Sequence, residues 1–200
     1  ADNMAPIVNH SFTNIDSLVS SYDAWIGIFA YSFQIYFDFS GYADMAIGLA
    51  LLLGIKLPMN FNSPYKAENL VHFWRQWHIT LSTFLKVHIY FSLGGSRVSL
   101  PRQLNNLIIT MTIGGIWHGA GWSFLIWGFM HGLVLAIIHL KNSLFQNSFK
   151  MQKHLSIIIT FIIVTLLWVL FRAENFDIAM KYYSVLFDFN SFSLSFISNL

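Results

Sequence analysis

Uncharged apolar runs alternate with short polar breaks along this chain, and the runs set its expected elements. Residues 1–22 are polar enough for a loop, with Asp2, Asn3, Asn9, Asn14 and Asp16. From Ala24 to Phe37 the run AWIGIFAYSFQIYF carries no charge. Extended back through Leu18 it reaches the roughly 20 residues a membrane-crossing helix needs, so a helix is expected over 18–37. The stretch DFSGYAD follows, with Asp38 and Asp44 bracketing Gly41. It predicts a turn with Ser40 as the cap of a second helix, over 42–54, that stops at Gly54.

Residues 56–102 have a different pattern. Lys56, Lys66, Arg75, Lys86, Arg97 and Arg102 fall here against one acid, Glu68. The positive-inside tendency puts this stretch on the cytoplasmic side. At helical spacing, Leu70, Trp74, Trp77, His78, Leu81 and Leu85 share one face, and Glu68, His72, Arg75, Thr83 and Lys86 the other. That periodicity predicts an interfacial or re-entrant amphipathic helix over 66–88, stopped by Leu93-Gly94-Gly95.

Between Arg102 and Lys141 there is no Asp, Glu, Lys or Arg. The run is too long for one span, and Gly119-Ala120-Gly121 interrupts it. Two helices, 104–117 and 122–140, are expected to meet at a glycine elbow, with both outer ends on one side. Lys141, Lys150 and Lys153 agree with a cytoplasmic location for those ends. A further span is expected over 155–171 and an amphipathic helix over 177–187. The pattern describes an all-α, polytopic transmembrane bundle with interfacial or re-entrant helices, in a single membrane domain over 1–200.

Composition strengthens that reading. The chain is 56% hydrophobic and 10% charged, against about 25% charged in soluble domains. Twenty Phe and seven Trp suit contact with membrane lipids. A net charge of +2 without a basic tract gives no nucleic-acid partner. The absence of cysteine excludes disulfides, thiolate catalysis and Cys-ligated zinc, and no metal site is expected. No charged leader precedes a short apolar core, so no signal peptide is expected, and a chain that starts at Ala1 reads as an excerpt.

Eight histidines stand out in so charge-poor a chain. His118 lies in GGIWHGAGW, between two apolar helices. An ionisable group at membrane depth is costly and points to function, and imidazole can take a proton from a hydroxyl near neutral pH. Equally, His118 can donate one bond to a carbonyl and pack against Trp117. His78 sits on the apolar face of its helix, either lining a cavity with His118 or reaching toward headgroups. His131, in WGFMHG, follows 13 positions after His118. Asp38 can orient a histidine or bind a basic partner. Arg75 and Lys86, on the polar face, can hold a donor's phosphate or meet lipid headgroups.

The stretches FDFSGYADMAIGLALLLGIKLPMNFNSPY (37–65), FWRQWHITLSTFL (73–85), LGG (93–95), GGIWHGAGWSFLIWGFMHGL (114–133) and FRAENF (171–176) resemble the bacterial branch of the membrane-bound O-acyltransferases. The likeness is nearer to its alginate-acetylating members than to the sister group that transfers D-alanine to teichoic acids. It covers about residues 20 to 189, and the order of the motifs carries it.

The resemblance implies that the chain is the C-terminal part of a multi-helix fold in a bacterial inner membrane, crossing it several times. It implies transfer of an acyl group, acetyl in this branch, to hydroxyls of an exported polysaccharide such as alginate. His118 of Trp-His-Gly matches the family's catalytic histidine, and His78 of Trp-Arg-x-Trp-His its second characteristic histidine. His131 matches the histidine of Trp-Gly-x-x-His-Gly, with Asp38 and Trp117 as supporting positions. No cofactor is implied as bound. The acyl donor would be acetyl-CoA or an acyl-carrier thioester, near Arg75 and Lys86, and accessory periplasmic acetyltransferases would be partners. The family often reads WLRDYLYIPLGG after the second motif; residues 84–95 here, FLKVHIYFSLGG, lack the acid and the proline. The same residues are open to two other classes: a proton-coupled transporter using a His/Asp relay, and a haem protein ligated by His118 and His131.

Overall fold

The computed structural model describes residues 1–13, 20–145 and 151–188, and among these there is no strand. Lys150, Asn14, Asp16 and the first two residues of the expected helix over 18–37 lie outside the described residues. A single 3-10 turn, Asp2–Met4, leads into α1 (Ala5–Thr13). Helix α2 then runs unbroken over Ser21–Leu52. Ser20 caps its start: the Ser20 hydroxyl accepts from the Asp23 N–H at 3.2 Å and donates to the Asp23 carboxylate at 2.8 Å. Gly54, at φ +75°, ends it. The Ile55 N–H reaches the Ala50 carbonyl and the Gly54 N–H that of Leu51, a Schellman closure that a left-handed glycine permits.

The expected break at DFSGYAD is therefore corrected. Residues 38–44 lie inside α2, and Ser40 caps nothing. A mid-helix glycine costs only about 1 kcal/mol relative to alanine. Aromatic packing on the preceding turn offsets that cost: Tyr36 meets Phe61 and Tyr65, and Phe39 meets Phe61 at 4.9 Å between ring centres.

The expected continuous helix over 66–88 is also corrected. A 3-10 turn, Pro64–Lys66, precedes α3 (Leu70–Trp74), which is capped by Asn69. The chain breaks at Arg75–His78 and resumes as α4 (Ile79–Leu85), which widens into a π turn over Lys86–Tyr90. The break has a specific cause. Loop residues 60–62 run alongside it, the Asn62 N–H donating to the Gln76 carbonyl and the Ile79 N–H to the Asn60 carbonyl, both at 3.0 Å. His78 takes φ +42° to meet them. Of the expected apolar face, Leu70, Trp74, Trp77 and Leu85 are nevertheless buried and His78 and Leu81 half-buried, while Glu68, His72, Arg75, Thr83 and Lys86 are exposed. The stripe separates the two sides although the helix that would carry it is broken.

Helices α5 (Leu100–His118) and α6 (Trp122–Leu144) form an antiparallel hairpin through Gly119–Gly121. Its two axes approach so closely that only hydrogen fits at three places. A Cβ on Gly115 would strike the Phe124 carbonyl, one on Gly128 the Met111 carbonyl, and one on Gly132 would lie 2.6 Å from the Ile108 Cα. Small residues spaced four apart are how apolar helices pack backbone to backbone. Helices α7 (Lys153–Arg172) and α8 (Phe176–Leu186) complete the unit. The Tyr182 hydroxyl donates to the Ala24 carbonyl, and the Ser21 hydroxyl to the Leu186 carbonyl, each at 2.7 Å. Three helices, α2, α6 and α7, are long and apolar enough to cross a membrane.

Candidate active site

The centre of the molecule is aromatic. Trp77 stacks on Phe73, Trp168 lies 5.0 Å from Trp77, and Trp127 stacks on Trp168 at 5.9 Å. His118 sits at the edge of this cluster as the last residue of α5. Its ring is edge-on to Trp127 (5.3 Å, 89°) and Phe171 (5.0 Å, 77°), with Trp117 and Phe124 closing the other sides. Rings from three helices, α5, α6 and α7, thus hold the imidazole by ring contacts alone. It is half-buried and makes no hydrogen bond to any described residue. A histidine whose two nitrogens are held by nothing keeps its donor and acceptor capacity for an incoming group.

Beyond His118 the chain turns sharply at Gly119–Gly121. There an apolar hollow of about 270 Å³ is lined by Ile116, Gly119, Ala120, Gly121, Trp122 and Leu125. A side chain at Gly119 would collide with the Phe124 ring, so the elbow admits only a minimal residue beside the imidazole.

His78 belongs to the same neighbourhood. Burial holds its imidazole below the ordinary range. At His118, burial lowers the pKa first and repulsion from a charged His78 adds to it. His78 also meets the Phe39 ring edge-on at 4.6 Å, and its Nδ1 lies 3.2 Å from Asn60 Oδ1. His131 is one step behind. It is wholly buried, wedged between Trp74 and Trp127, and its Nδ1 accepts from the Trp74 indole N–H at 3.3 Å. It shares Trp127 with His118 but has no opening to solvent.

The remaining candidates are placed differently. Asp38 is exposed on α2 and makes no hydrogen bond to a histidine among the described residues. Trp117 is 64% exposed and touches His118 with one face, leaving the other open. Arg75 and Lys86 are exposed, and Lys86 lies over the Phe91 ring rather than near the histidines. Asn60, Phe171, Trp127 and Phe39 were not singled out from the sequence. Phe171 comes from a helix 53 positions downstream of His118, and nothing local announces that contact. Asn60, a lone amide between Met59 and Phe61, was the one weak signal available.

The sequence profile described as "MBOAT, membrane-bound O-acyltransferase family" matches residues 7–177. A probable alginate O-acetylase AlgI of Azotobacter vinelandii is 46% identical over 98% of this chain and 38% of its own length. A peptidoglycan O-acetyltransferase of Helicobacter pylori is 49% identical over 99% of this chain and 38% of its own length. A teichoic acid D-alanyltransferase of Streptococcus thermophilus is more distant, 33% identical over 55% of this chain and 28% of its own length. The chain thus spans under two fifths of the curated relatives that cover it fully. On the profile match and these identities together, it belongs to the membrane-bound O-acyltransferase family.

Proposed function

We propose that the full-length protein transfers an acetyl group to hydroxyls of an exported cell-envelope polysaccharide, with His118 as general base. The observation that carries this reading is the His118 imidazole itself. It is fixed by rings, free of hydrogen bonds to described residues, and set beside a glycine elbow open to an apolar hollow. The relatives named as alginate and peptidoglycan O-acetyltransferases support the class of acceptor. In this reading the acceptor O–H gives its proton to His118 while its oxygen bonds to the acyl carbon. The C–S bond of a thioester donor then breaks, and the leaving sulfur recovers the proton. Acetyl-CoA or an acyl-carrier thioester fits that donor chemistry. The exposed Arg75 and Lys86 suit a donor's phosphates at the cytoplasmic face of a bacterial inner membrane, and periplasmic acetyltransferases are the partners that would complete the pathway.

The test is paired. In the full-length protein, His118→Gln is expected to abolish polymer acetylation while membrane abundance stays near normal, because Gln can still donate and accept hydrogen bonds but is no base near neutral pH. A histidine of structural value only would lower abundance first, since Gln cannot reproduce the ring contacts with Trp127 and Phe171. Acetylation at the parental rate per molecule by His118→Gln would show that His118 is not the base.

A further inference from the structure

The contacts of Asn60 single out one side-chain oxygen at the bend between α3 and α4. Three groups converge on Asn60 Oδ1: the Thr80 hydroxyl at 2.6 Å, the Thr80 backbone N–H at 3.2 Å and His78 Nδ1 at 3.2 Å. The backbone N–H can only donate, so it fixes which end of the amide is oxygen. Turning the amide over would set its NH2 against that N–H and lose the bond. With an oxygen at this position, the His78 nitrogen facing it must carry the hydrogen. Neutral His78 then holds its proton on Nδ1 and leaves Nε2 with a bare lone pair.

We propose that Asn60 is a positioning residue that locks His78 in the Nδ1–H form, so that His78 serves the site as a hydrogen-bond acceptor through Nε2 and not as an oxyanion donor. The inference rests on the proposed acyl transfer for its purpose, but its geometry stands on Asn60, His78 and Thr80 alone. The lock has a second component. The Asn60 carbonyl also accepts from the Ile79 N–H, while the Asn62 N–H donates to the Gln76 carbonyl, so the loop at 60–62 holds the chain before and after His78, which takes φ +42°. An L-residue in that region is strained, and the strain is held at the position whose ring orientation counts. From α2, the neutral Phe39 ring presses edge-on against the same imidazole. On α5, His118 is the titratable neighbour, and its pKa is lowered further by a charged His78. The neighbouring partners Asn60 and Thr80 are uncharged.

A neutral Nε2 without hydrogen cannot stabilise a developing oxyanion. It can accept a hydrogen bond from the acceptor hydroxyl or from a protonated neighbour. This assigns the two histidines compatible work: both act from their neutral forms, and protonating either one stops transfer.

The experiment uses the full-length protein in membranes. A ¹⁵N-histidine NMR difference spectrum between wild type and His78→Gln should show the missing residue as the Nδ1–H tautomer; an Nε2–H tautomer overturns the proposal. Asn60→Asp keeps an oxygen facing Thr80 and His78 but adds a charge that favours the imidazolium. It should raise the pH of half-maximal acetylation by about one unit, the low end of what an adjacent opposite charge does. Thr80→Val removes one bond to the same oxygen and should lower protein level or turnover without moving that midpoint. An Asn60→Asp profile that scales down without shifting means Asn60 only braces the loop, and the proposal fails. The underlying reading fails separately: parental acetylation by His118→Gln or His78→Gln sinks it whatever the tautomer.

Discussion

At the residue scale, the two histidines share a direction of shift, and this has a consequence for pH dependence. Burial disfavours the charged form of His78 and of His118, and at His118 repulsion from a charged His78 adds to it. An ordinary imidazole is half-protonated near pH 6.5. A lowered value keeps the base form populated through and below that pH. Acetylation by the full-length protein is therefore expected to stay level as pH falls from neutrality past 6.5 and to decline only at lower pH. A pH–rate profile with its acid midpoint at 6.5 or above would contradict the burial of this pair. The position of His118 was legible in the sequence because a charge-free run with a Gly-rich interruption isolates it. The ring contacts that hold it were not. Phe171 and Trp127 reach it through the packing of α6 and α7, which no local pattern encodes.

At the element scale, what could be read depended on where the cause of each boundary lies. The elbow at Gly119–Gly121 and the stop at Gly54 are written in the residues that make them. The expected turn at Gly41 failed because a lone glycine in a helix is a small penalty, and the rings of Tyr36 and Phe39 already commit that segment to α2. The expected single helix over 66–88 failed for the opposite reason. Its residues have good helical spacing, but Asn62 and Asn60, 14 and 19 positions upstream of their partners Gln76 and Ile79, claim the backbone groups that would continue it. The α5–α6 seam offers a direct test of packing. Gly128→Leu is expected to reduce membrane abundance severely, because its Cβ alone meets backbone on the facing helix, which cannot yield as a side-chain tip can. Gly41→Leu, whose Cβ meets nothing, should leave abundance near wild type. Equal levels of the two variants on immunoblots would refute the backbone-to-backbone seam.

At the scale of the whole molecule, charge fixes the expected orientation. Arg75 and Lys86 are both exposed and lie within the basic stretch over 56–102. Single cysteines introduced at these positions in the full-length protein, which the present segment otherwise lacks, should react with a membrane-impermeant maleimide only after the cells are opened. Labelling of intact cells at either position would invert the topology. Neither α3 nor α4 is long enough to cross a bilayer, so the stretch reaches the histidines from one side only.

The length of α2 sets a mechanical condition on the site. Thirty-two residues at 1.5 Å each make a rod about 48 Å long, against a hydrocarbon layer of about 30 Å. Tilt alone would have to exceed about 50° to hide it, beyond the range of roughly 0–40° that membrane helices adopt. The rod must protrude at any tilt in that range, and its tilt and protrusion follow the thickness of the lipid around it. Phe39, partway along the rod, rests on the His78 ring. A thicker or thinner bilayer therefore presses on an imidazole through a lever, and lipid chain length becomes a variable of the chemistry itself.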